Sequence, residues 1–571
     1  MKLFLAAALA ILWSPSARAD SGISCPAVST TETPAIQLAL ALQDRIRASD
    51  PAARKESELR LSAALDRSGL IRAAHSGYRV VLGSNEATPS DRARALACMN
   101  RIEKADPALS RLEDSSILRG VATREFPARS EAGEFLFRQF TLALREAPRR
   151  ADELASLLES ALPGSLEAAL ARSFLLAREK KPLEALRMLT PLLASDRWPA
   201  SLERHRNAGR VLAARSAFAI GQPLEAARLL RTVDKSANLA PAALEELSWA
   251  LLEGERPGEA IGTALQLERG LLARTFAPEA PMVLAMSLNE LCQFPSALAA
   301  ISRFKRRWQT VHQWFEDDRR RPAALLPRTR RILKKEKETG IPAMVAWELI
   351  QAPQYLAQES FIATLTSESR LFEALASGIR SEKLRLAQKI VESSRDLTTR
   401  IVREGAPLSG ATEADLRRLR QELLQYRALR RASGPARRMA ANFSASRPGL
   451  RRQAEAGIEA DLRRRARRMA LRLDEVIENL GLVEIEILDG ASRDLVWQNA
   501  HPELARKAQE QVRARGREKS WDWGSAFTLM DSRDGAESEE IWEDELGSHE
   551  VLITDRCALR ERQVALQGES P

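Results

Sequence analysis

The chain's five histidines, His75, His205, His312, His501 and His549, are the side chains best suited to metal binding or proton transfer, and they are scattered. No two of them stand four residues apart beside a glutamate. No C-x-x-C, no G-x-S-x-G and no phosphate-binding glycine loop occurs. The pattern therefore predicts no metal site, no cofactor and no activated nucleophile. Asp531-Ser532-Arg533-Asp534-Gly535 opens like a calcium loop but lacks the glutamate that would complete it, and reads as a turn. Recognition chemistry is better represented. Phe174, Arg215, Trp249 and Met286 recur in one register, followed about a turn later by Arg178, Phe218, Glu253, Asn289 and Glu290. Large aromatic and soft side chains of this kind are common where a few anchors carry most of a binding energy.

That register is set by four alanines. Ala185, Ala226, Ala260 and Ala297 are spaced by 41, 34 and 37 residues, and each is expected to open an amphipathic helix. Twelve positions earlier stand the small residues Ser173, Ala214, Ser248 and Ala285; nine earlier stand Leu176, Ala217, Leu251 and Leu288. Four positions later come Leu189, Leu230, Ala264 and Ile301. Small residues at fixed offsets let two helices of a hairpin approach closely, while aliphatic ones fill the space between hairpins. A period near 34 built this way predicts helical hairpins stacked on copies of themselves.

The block resembles the tetratricopeptide repeat (TPR) family. Leu244, Leu247, Ser248, Leu251 and Ala260 carry the resemblance best, followed by Leu284, Ala285, Leu288, Ala297 and Ile301. No unit has tryptophan at the first hallmark position, and proline stands before the second helix (Pro182, Pro223, Pro257) rather than near the end of the unit. The resemblance implies a right-handed superhelix of antiparallel hairpins whose first helices line a concave groove for peptide segments or other proteins. Carried over unit by unit, it places Phe174, Arg215, Trp249 and Met286, and a turn later Arg178, Phe218, Glu253, Asn289 and Glu290, on that groove. A second resemblance is confined to one segment. Gln358-Glu359-Ser360 matches the catalytic glutamate segment of soluble lytic transglycosylases, but the downstream glycine-led element is missing, so such an enzyme is a remote alternative.

The whole chain is expected to be all-α, consistent with 27 glycines and 3 tyrosines in 571 residues. Lys2, an apolar run from Leu3 to Trp13 and the A-x-A site ending at Ala19 predict a signal peptide over 1–19 and export to the periplasm. Residues 20–161 read as N-terminal helical hairpins, 162–310 as TPR-like repeats and 311–491 as long helices with heptad spacing. In the last of these, Met469, Leu473, Val476, Leu480, Val483 and Ile487 alternate steps of four and three, as do Leu416, Leu419, Leu423 and Tyr426. Ser433-Gly434-Pro435 is expected to break the chain between them, and the region 416–487 is a candidate for self-association. A tail over 492–571 holds Trp497, Trp521, Trp523 and Trp542, and is expected to dock on the helices.

Four cysteines are too few for a disulfide framework; Cys25 with Cys98 is the candidate pair, and Cys292 reads as a buried thiol. The formal charge of +10 raises polyanion binding, with the basic stretch Arg319–Arg321 and Arg328, Arg330 and Arg331 as its densest part. Export argues against nucleic acid, and no segment after the signal is apolar enough to span a membrane. The expected function is a non-enzymatic periplasmic scaffold or adaptor that binds envelope proteins. Binding of cell-wall material or other polyanions through arginine-rich helix faces is the alternative.

Overall fold

The computed structural model describes residues 33–123, 126–195, 198, 202–235, 239–268, 270–336, 340–404, 410–507, 510, 553 and 555–557. Every regular element among them is helical. The signal segment, Cys25, the loop at Asp531, Trp521, Trp523 and Trp542 lie outside the described residues. Two units form. One comprises the chain up to Ala171 together with Ala357–Ala454, and the other comprises Arg172–Leu356 together with the chain from Glu455.

In the first unit, helices α1 (Pro34–Arg47), α2 (Pro51–Arg67), α3 (Ile71–Leu82) and α4 (Pro89–Ala105) pack each on the next. They are followed by α5 (Ser115–Val121), α6 (Arg129–Glu146) and α7 (Pro148–Ala161). Local sequence sets several of these starts. Asp50 accepts the amide of Ala53 with Pro51 just inside the helix, and Thr88 accepts the amide of Asp91 ahead of Pro89. Tyr78, Leu96, Met99, Phe135, Phe137 and Phe140 make the core. A charged cluster is enclosed beside it: Glu103 meets His75 at 2.7 Å and Arg138 at 2.8 Å. Burial works against the Glu103 charge, but hydrogen bonds from His75 and Ser110 and the charge of Arg138 hold its carboxyl below the usual range.

The second unit contains the four alanines. Helix α8 (Leu166–Arg178) leads into α9 (Pro182–Leu193), α10 (Glu203–Ala219), α11 (Pro223–Arg231), α12 (Ala240–Glu253), α13 (Pro257–Glu268), α14 (Ala280–Glu290) and α15 (Phe294–Arg320). From α9 onward each packs on its successor. The four connections share one backbone solution. Lys180, Gly221, Glu255 and Cys292, each five residues before its alanine, have φ of 59°, 75°, 57° and 51°. In each case the next residue's N–H donates to a carbonyl five residues back: Lys181 to Leu176, Gln222 to Ala217, Arg256 to Leu251 and Gln293 to Leu288, at 2.8–2.9 Å. This is the Schellman closure, and it stops the first helix where proline can start the second. All four alanines are 0% exposed, as are Ser173, Ser248 and Ala285, while Leu176, Leu251 and Leu288 stay at or below 2%.

Two short helices, α16 (Leu325–Leu333) and α17 (Ala343–Ile350), precede two long ones, α18 (Pro353–Glu404) and α19 (Gly410–Ala500). Ser433-Gly434-Pro435 does not interrupt the chain: α19 runs through Pro435 and Pro448, and continues past residue 492 to include Trp497. A proline forfeits one backbone bond and strains its neighbours; here the surrounding helix continues through both. From Glu455 onward the heptad side chains are covered by this chain itself, with Leu473, Val476, Leu480 and Ile487 buried. Lys305 of α15 reaches Glu484 at 2.6 Å, and a Cβ added to Gly490 would stand 2.6 Å from Phe294 Cε1. Val483 and Ile487 are buried while Ile485 is 65% exposed, which is helical periodicity and not the alternation of a strand. Cys292 is not a thiol. It is bonded to Cys557, and the Arg556 N–H donates to the Leu291 carbonyl at 3.1 Å beside it. Cys98 is also oxidised.

Candidate functional site

Side chains of three consecutive helices meet around one cavity. Trp249, Ala250, Glu246 and Glu253 of α12, Ala214, Arg215 and Phe218 of α10, and Ala226 and Leu230 of α11 enclose about 410 Å³. The walls are mostly aliphatic and aromatic, the usual character of a site that takes an apolar group. Small residues make the space. Ala214 and Ala226 occupy the close-approach positions of their hairpin, so no side chain fills the gap between α10 and α12.

The polar side chains of the site are held rather than loose. Arg215 donates two bonds from Nε to the Glu246 carboxylate at 3.0 and 3.1 Å and one from Nη2 at 2.5 Å. The bond to Glu246 raises the Arg215 pKa further above its ordinary value. The indole N–H of Trp249 donates to Glu279 Oε2 at 2.8 Å. Glu279 is bound in turn by Arg472 of α19, whose Nε lies 2.7 Å from Glu279 Oε1 and whose Nη2 lies 2.5 Å from Glu245 Oε2. Glu245 also accepts the backbone N–H of Glu279 at 2.9 Å, closing the network.

Burial pushes the Glu245 carboxyl up to about 7, against the pull of Arg472 and with the help of the Glu279 charge. One guanidinium shared by two carboxylates cannot neutralise both, which is why the more enclosed of them favours a proton. On α14, the Glu290 carboxyl is raised by burial and then by the nearby charges of Glu253 and Glu255.

Of the side chains predicted to line a groove, Arg215, Phe218, Trp249 and Glu253 share this cavity. Phe174, Met286 and Asn289 are half-buried, Arg178 and Glu290 are exposed, and none of these five lines it. The sequence reading missed Glu246, Glu279, Glu245 and Arg472. Glu246 lies about one helical turn before Trp249, but Arg472 lies 227 residues from Glu245 and carries no local signal.

Elsewhere, His312, Glu316 and Asp474 bring ligand atoms within 4.8 Å of one another. Arg319 forms ion pairs with both carboxylates and supplies their counter-charge. The basic stretch expected to attract polyanions is likewise turned toward acids. Arg330 pairs with Glu455 at 2.9 Å, and Arg320 and Arg321 line a cavity with Asp317 and Asp318. Glu359 is a half-buried residue of α18. No helix among the described residues is long and apolar enough to cross a membrane. Neither a family model, nor a curated protein, nor a solved structure matches this chain.

Proposed function

We propose that this chain works without covalent chemistry, as an exported scaffold or adaptor that holds partner proteins in an envelope assembly. On this reading the hairpins of 162–310 form a TPR-like array, and the cavity beside Trp249 receives an apolar side chain from a partner segment. One observation carries it: Arg215 and Trp249, the same position in successive units, face a single apolar cavity. The identical turns at Lys180, Gly221, Glu255 and Cys292 support the array, because stacking copies of one hairpin requires one repeated turn. The bracing of Trp249 through Glu279 and Arg472 supports the anchor role. A pre-positioned aromatic loses little conformational freedom on binding. The apolar run and A-x-A site at the N-terminus support the location.

The test is capture from envelope extracts with the mature chain and with a Trp249→Ala, Phe218→Ala variant of unchanged circular dichroism. Partners retained by the first and lost by the second place binding at this cavity. An identical partner list for both removes the cavity from the function.

A further inference from the structure

Between Leu416 and Ala454, helix α19 carries eleven arginines, no lysine and a single acidic residue, Glu422. Read for its leucines, this stretch looks like a heptad seam; read for charge, it carries ten more positive than negative side chains. At about 100° per residue, Arg420, Arg427, Arg430, Arg431, Arg438 and Arg452 fall within an arc of roughly 100°. All six are exposed.

The other side of the helix is the one that packs. Ala428, Leu429 and Ala432 are 0% exposed there, and Glu422 is buried and receives Lys389 of α18 at 2.7 Å. The Phe443 ring lies 4.9 Å from that of Phe372. None of the six arginines forms an ion pair with a described residue. Arg452 donates to the Pro448 carbonyl of its own helix at 3.4 Å. Arginines elsewhere behave differently: Arg79, Arg215, Arg319 and Arg472 each hold a carboxylate.

We propose that this face binds a linear, phosphate-bearing polyanion. Guanidinium forks match phosphate oxygens bidentately and are weakly hydrated, which makes arginine the better choice over lysine for such a ligand. The arc from Arg420 to Arg452 is about 48 Å long at roughly 1.5 Å per residue, with five of the six charges in the first ~27 Å of this track. A bilayer is the less suitable occupant. Between the arginines the arc holds Gly434, Ala441, Ala445, Pro448 and Gly449, all exposed, and one large apolar side chain, the half-buried Leu423, which is too little to insert among lipid tails. Those small residues instead let a polymer chain lie close to the helix. A polymer also needs nothing of the surface on either side of the track, whereas a bilayer must clear it.

The experiment uses long-chain inorganic polyphosphate as the probe, titrated against the full mature chain by fluorescence anisotropy over a range of salt. One variant carries Arg427→Gln, Arg430→Gln and Arg431→Gln. A second, with the same change in net charge, carries Arg47→Gln, Arg119→Gln and Arg149→Gln, also exposed and in the same unit. The first variant is expected to bind about tenfold or more weakly at moderate salt, with the log–log salt slope reduced by about 2. The second is expected to change less than about threefold, since it leaves the track intact. Equal losses in the two variants would reduce the effect to net charge and overturn the proposal. So would binding to vesicles of phosphatidylcholine and phosphatidylglycerol that needs these arginines while polyphosphate does not bind.

Discussion

Replacing Arg472 by methionine removes the one cation that serves both Glu245 and Glu279. Glu245 is left with the Glu279 amide, at 2.9 Å, as its remaining donor. Removing one partner of an enclosed pair costs about 3–5 kcal/mol because the other charge stays buried. The Glu245 side chain is 2% exposed, but Arg472 is 38% exposed, so solvent screens part of the pair and about 2–3 kcal/mol is the reasonable expectation. The loss should also depend on pH. Glu245 titrates near 7, so at pH 5.5 it carries a proton and has little charge to leave stranded. There Arg472→Met should cost about 1 kcal/mol, the worth of a hydrogen bond to a neutral acid. Guanidinium unfolding of wild type, Arg472→Met, Glu245→Gln and the double variant, at pH 5.5 and 8.5, isolates the coupling. Both tryptophan fluorescence and circular dichroism should be followed, since a chain of two units need not unfold in one step. A coupling below about 0.5 kcal/mol at pH 8.5, or one that is equal at the two pH values, would refute the reasoning.

Three further outcomes are expected. Burial raises both Glu245 and Glu368 from the ordinary 4.5 to about 7 in the folded chain, so the native state binds the extra protons between those values. Stability should therefore fall as pH rises from about 4.5 to 7, and Glu245→Gln with Glu368→Gln should flatten that slope in denaturation at constant ionic strength. At the repeated turn, Lys180 adopts the left-handed conformation that Gly221 occupies without strain. Lys180→Gly should stabilise by up to about 1 kcal/mol and Gly221→Ala should destabilise by about as much, read from urea midpoints. The Cys292–Cys557 bond closes a separation of 265 residues, worth up to about 5 kcal/mol on the chain-entropy model. Replacing both cysteines by alanine should lower the unfolding midpoint clearly, and an unchanged midpoint would count against the bond.

Helical content and hairpin register were legible because they are local. The alanines, their partners twelve and nine positions earlier and the prolines before the second helices act within one hairpin, and each of those buried positions could be named from spacing alone. Of the side chains expected on a groove, Arg215, Phe218, Trp249 and Glu253 line the cavity described above, an opening whose position no spacing in the sequence marks. The heptad of α19 from Met469 to Ile487 was legible as a buried stripe, because its spacing is helical and local.

Helix starts mark the division most clearly. Thr88 and Asp50 cap their own helices, as their sequences announce. Leu70, Glu279 and Ala324 precede helices with no side-chain cap of their own. There the carboxylate comes from another helix: Glu368 accepts the amide of Arg72, Glu245 that of Glu279, and Glu459 those of Leu325 and Leu326. A free amide at a helix end attracts any carboxylate that folding brings near, whatever its distance along the chain. Among 77 acidic and 87 basic residues, periodicity does not say which pair will meet. Sequence alone thus determined the helices, the hairpin register and the residues each hairpin buries, because those depend on contacts a few residues apart. The cavity beside Trp249, its brace through Arg472 and the Cys292–Cys557 link were decided by tertiary structure, because each joins residues whose proximity exists only after the chain has packed.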